Sequence, residues 1–183
     1  MQHITTHQHL SQHETKMHTG WAVRDGIFGG LLAGIVFILA EMLAAWFATG
    51  NVWAPLQMIA SVPLGIPPAL ISIQDAVISG GIFHLVYSAL LGVFTAIIVA
   101  ASAGIHQTRA RIVTFAAAIG FLAWVVNFYI IAPLIGAPWF ATQTNPLLQA
   151  IWHTVAYGMV LGWFLDAIPP RDDVEGRLKR RKT

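Results

Sequence analysis

The sequence predicts an all-α integral-membrane protein, a four-helix bundle with both termini on the cytoplasmic side. Three observations carry that prediction. Of 183 residues, 56% are hydrophobic and only 10% are charged, against roughly 25% charged in soluble domains. Apolar runs of about twenty residues or more occupy 26–49, 76–101, 112–132 and 147–168, the length a helix needs to cross the hydrocarbon core. Every Lys and Arg lies in the N-terminal segment, in the 102–111 loop or in the C-terminal tail, and the two other connections hold none. By the positive-inside rule that distribution puts both ends in the cytoplasm, as expected for a multi-pass protein of a bacterial inner membrane.

Residues 1–20 form a polar tail carrying His3, His7, His9, His13 and His18. On a helix, His3/His7 and His9/His13 would each share a face and suit a soft divalent metal; a solvated tail with incidental histidines is the plainer expectation. No secretory leader is expected, because the first apolar run is too long and lacks a small-residue cleavage site.

The membrane domain, 21–170, begins with a run preceded by Arg24 and flanked by Trp21, Trp46 and Trp53, residues that favour the membrane interface. Gly26, Gly30, Gly34 and Ala45 recur on one face, and Glu41 continues it seven residues after Gly34. Small residues let neighbouring backbones approach, so Glu41 is expected to point into the bundle. Residues 50–75 hold Pro55, Pro63, Pro67 and Pro68, which interrupt continuous helix, though 55–62 suits a short helix with proline in its first turn. This apolar connection needs cover from the lipid interface or another subunit. The second run places Gly81, His84, Ser88, Gly92 and Thr95 along one stripe. His106, Arg109 and Arg111 occupy the following loop, and in the third run Ala116, Gly120 and Ala123 share a face with Asn127. After a connection with Trp139 and Phe140, the fourth run sets Gln149, His153 and Tyr157 on one face, and Pro169-Pro170 ends it. The tail 171–183 carries six of the ten basic residues. Asp166 is expected to pair with basic residues at the cytoplasmic boundary, and Asp75 to favour the positive N-terminus of its helix.

The chain also reads as a candidate duplication of a two-helix hairpin. Ala54-Pro55-Leu56 follows the first run and Ala132-Pro133-Leu134 the third, while the second and fourth each carry a histidine, a tyrosine one turn on, and a glycine eight (Gly92) or nine (Gly162) residues on.

Counting from the basic boundary gives depth. Glu41 lies seventeen residues after Arg24, Asn127 sixteen after Arg111 and His153 eighteen before Arg171, while His84 lies seventeen before Ala101. At about 1.5 Å per residue the first three sit roughly 24 to 27 Å from that boundary. One strongly polar side chain per run thus reaches one level, with Tyr87 and Tyr157 a turn away. An ionisable group inside a span marks a site by default.

Four site chemistries fit these residues. The plainest is a polar layer in which Glu41 hydrogen-bonds to the histidines and Asn127, gluing the bundle. His84 and His153 on different helices would suit axial ligation of a b-type haem. Both histidines with Glu41 would suit zinc, iron or copper. A bound quinone or lipid, or a proton path through Glu41 and a histidine, is the fourth. The chain contains no cysteine, which excludes disulfides, thiolate nucleophiles and Cys-ligated metal centres.

The series Trp53-Ala54-Pro55-Leu56 followed by His84-Leu85-Val86-Tyr87-Ser88-Ala89-Leu90 resembles a pattern in small, uncharacterised four-span bacterial inner-membrane proteins. The resemblance covers the first two runs and implies topology alone. At the level of function the expectation is a non-catalytic accessory subunit of a larger respiratory or photosynthetic electron-transfer complex, in contact with lipid and other membrane subunits and not with nucleic acid. The alternatives are a haem-, metal- or quinone-binding membrane module, and a small transporter or proton channel.

Overall fold

The computed structural model describes residues 2–102 and 108–167, with side chains described at 20 and from 22 onward. All regular structure among them is helical. Three helices, Ala22–Thr49, Ile73–Ala101 and Arg109–Leu134, are long and apolar enough to cross a membrane. Only 33%, 33% and 28% of their most apolar stretches is buried, so most of their aliphatic side chains face outward, as lipid contact requires. Phe28, Leu39, Phe47, Ile82 and Leu90 are examples.

The first helix runs back without a break through the polar tail to Gln2 and ends at Thr49. The tail histidines, His106, the Pro169-Pro170 stop and the basic segment 171–183 lie outside the described side chains. Gly50 follows with φ +73° and Gly65, at φ +66°, closes the short helix Ala54–Leu64 by donating its N–H to the Ser61 carbonyl. Pro55 sits in that helix's first turn, where no N–H is needed. Ser72 starts the second long helix, accepting from the Asp75 N–H at 3.1 Å and donating to Asp75 Oδ2 at 2.7 Å. Thr108 caps the third helix through the Arg111 N–H at 3.3 Å. Asn145 caps the fourth through Leu148 N–H at 3.1 Å, with Pro146 next in line. The fourth helix is continuous over Pro146–Ile151, Trp152–Met159 and Val160–Ala167.

Packing is pairwise. The first helix lies along the second and the third along the fourth; the first also meets the fourth, whereas the second and third barely touch. Glycines set both close pairs. A Cβ at Gly26 would sit 2.5 Å from Val93 Cα, and at Gly30 it would collide with the Ser88 carbonyl. In the other pair, a Cβ at Gly158 or Gly162 would come within 2.6 Å of Ala117 or Val113 Cα, and at Gly120 it would collide with the His153 carbonyl. The small-residue faces read from sequence are therefore the helix contacts. The two pairs join through Ala33 and Phe37 against Ala156, Tyr157 and Leu161.

The first connection covers itself. Leu56, Ala60 and Ile71 pack on Ala76, with Ile38, Met42 and Trp53 around them. Gly80 allows the close approach, since a Cβ there would strike the Leu56 carbonyl. The second connection is tied to the first by Trp139 Nε1, which donates to Ser61 Oγ at 2.7 Å. At the opposite end, Arg109 Nε donates to Asp166 Oδ2 at 2.6 Å, closing the third and fourth helices with the ion pair expected of Asp166.

Candidate functional site: a chamber between the helices

Three stretches of the long helices widen from α to π geometry: Ala76–Gly80, Asn127–Ile131 and Trp152–Met159. A π turn takes in one extra residue and leaves carbonyls without their usual i+4 partner, and such turns gather at functional sites. Side chains meet that need in the fourth helix. His153 Nδ1 lies 2.9 Å from the Gln149 carbonyl and Thr154 Oγ1 donates to the Ala150 carbonyl at 2.7 Å.

Two of these turns, Asn127–Ile131 and Trp152–Met159, contribute to the wall of a cavity of about 460 Å³ at the connection end of the helices. All six residues singled out from sequence, Glu41, His84, Tyr87, Asn127, His153 and Tyr157, line it. So do Gln149 and residues of both connections. The structure thus brings together one polar side chain from each long helix.

Their bonding differs from a layer centred on Glu41. His84 Nε2 lies 2.9 Å from the Gly34 carbonyl, across the glycine contact of the first two helices. Because a carbonyl only accepts, the imidazole donates there, and His153 donates likewise to Gln149. Tyr87 donates its hydroxyl to Asn127 Oδ1 at 3.0 Å and Tyr157 donates to the Ser88 carbonyl at 2.7 Å. Glu41 is 7% exposed. The Gln149 side chain is its polar neighbour, and its Oε1 is buried without any partner among the described residues. The expected Glu41–imidazole bonds are absent among those residues because main-chain carbonyls have already engaged the ring N–H groups.

Phe37 was not legible as a site residue. Its ring contacts both histidines, stacked on His84 at 5.6 Å and edge-on to His153 at 4.7 Å. Its signal in sequence is positional: it stands four residues before Glu41 on the same helix face. These contacts bear on the haem expectation. An axial imidazole must present a free ring nitrogen to the iron, whereas here His84 Nε2 is turned to the Gly34 carbonyl. In this arrangement that nitrogen is not free to ligate iron. Nor do three His, Asp or Glu side chains close into a metal-ligand set among the described residues.

No known family, curated protein or solved structure matches the chain. Function must therefore be argued from the chamber itself.

Proposed function

We propose that this is a four-span protein of a bacterial inner membrane, with both termini cytoplasmic, that binds a small lipophilic molecule in a chamber within the outer part of its helix bundle. The carrying observation is the cavity of about 460 Å³, within the range of roughly 300 to 1,000 Å³ common for ligand sites. Apolar walls with few polar groups are what a membrane-soluble ligand needs. The sparse contact between the second and third helices supports lateral exchange with the bilayer. Arg109 and Arg111, at the end of the third helix remote from the chamber, support the orientation.

Native mass spectrometry of the protein released directly from its membranes tests this. The wild type is expected to retain a small-molecule adduct, and Ala45→Phe, which fills the chamber from its wall, to lose it. A bare wild-type protein, or equal adducts on both, would contradict the proposal.

A second reading, an accessory subunit of an electron-transfer assembly, rests on Leu70, Leu134 and Leu147 at the connection end, which are 73%, 80% and 71% exposed. Part of its original support is gone, since Leu56, Ala60 and Ile71 are covered by the chain's own helices. A co-purifying partner in mild detergent is its expected result; a homogeneous homomer would remove it.

A further inference from the structure

The hydrogen-bond inventory of the chamber specifies its ligand further. Tyr87, Tyr157, His84 and His153 all direct their donors to oxygen atoms of the protein. Thr49 and Thr144 do the same, to the Ala45 and Phe140 carbonyls at 2.9 and 2.6 Å. Acceptor capacity remains at Glu41 and at the histidines. Glu41 Oε1 is buried and unpartnered, and a neutral imidazole that donates through one nitrogen carries a lone pair on the other.

Charge and shape add two constraints. Among the described residues no Lys or Arg lines the cavity, and Glu41 is its single acid. A carboxylate inside a membrane demands an opposite charge or a strong donor. Six rings, of Phe37, Phe83, Tyr87, Phe128, Phe140 and Tyr157, also line the walls, and aromatic faces attract ammonium groups.

We propose that the chamber binds lipophilic organic ammonium ions, an N–H of the cation donating to Glu41 Oε1 while its apolar arms lie among the aromatic walls. The amide N–H of Asn127, whose oxygen is taken by Tyr87, is available to an acceptor elsewhere on the ligand. This assignment rests on the chamber being a ligand site.

Three molecules of one shape separate the assignment from that premise: dibenzylammonium, dibenzyl ether and 1,3-diphenylpropane, titrated into the full-length protein in phosphatidylcholine nanodiscs with empty nanodiscs subtracted. Dibenzylammonium is expected to bind about tenfold tighter than either neutral isostere, a difference of roughly 1.4 kcal/mol. Glu41→Gln is expected to abolish that preference and leave the ether's affinity unchanged. Glu41→Asp, which keeps the acid, should retain the preference and covers the case in which Glu41→Gln does not fold. Equal binding of all three, or a preference that survives in Glu41→Gln, would overturn the ammonium assignment alone. Binding of none would overturn it together with the ligand-site reading.

Discussion

The two helix pairs are built on the same contact, yet they use their histidines differently. Between the first and second helices, Gly30 and Gly92 bring the backbones together and His84 donates across the seam to the Gly34 carbonyl. Between the third and fourth, Gly120 and Gly158 play the same part, but the fourth helix widens at Trp152–Met159 and His153 donates back into its own turn. One imidazole therefore holds two helices together, while the other completes a π turn in the chamber wall. Likeness of sequence position did not carry likeness of role: one ring reaches a carbonyl of another helix and the other a carbonyl of its own turn.

The strongest test of the shared contact is to fill it. Gly30→Leu and Gly120→Leu each drive a side chain into a backbone carbonyl, of Ser88 and His153 respectively, which cannot rotate away. Each is expected to cost on the order of 3 kcal/mol or more, read as loss of cooperative thermal unfolding by circular dichroism in micelles. A near-neutral result at Gly120 would show that the second pair is not held by this contact.

The histidines should separate next. His84→Ala removes a buried inter-helix hydrogen bond and is expected to cost about 1 to 3 kcal/mol. His153→Ala removes a bond within one turn, and its loss should be the smaller of the two. Unfolding midpoints of the two variants measured side by side check this, and the reverse order would overturn the division of roles.

The smallest effect concerns the roof. Trp139→Phe loses the bond to Ser61 at about 0.5 to 1.5 kcal/mol. Its sharper signature should be faster proteolysis of the two connections, with little change in the long helices. Equal protease resistance in the variant would show that Trp139 does not couple them.

Much of this was legible in sequence, for physical reasons that can be named. Helix positions followed from apolar length, and the contact faces from glycines spaced by one helical turn. The common level of Glu41, His84, Asn127 and His153 followed from counting residues. What was hidden depends on backbone. Nothing in the side-chain alphabet says that the Gly34 carbonyl accepts from His84, since that bond exists only because glycine lets the second helix come close. Phe37 is one apolar residue among many, and its contact with both imidazoles arises where three helices meet.

The central claim is that Glu41 presents its carboxyl to an apolar chamber reached from the bilayer. Labelling membranes with a carbodiimide tests this most directly, an apolar reagent being set against a water-soluble one and the adduct located by peptide mass spectrometry. The chamber predicts that the apolar reagent modifies Glu41, that the water-soluble one does not, and that Ala45→Phe blocks the reaction. Modification of Glu41 by the water-soluble reagent, or labelling undiminished in the filled variant, would contradict it.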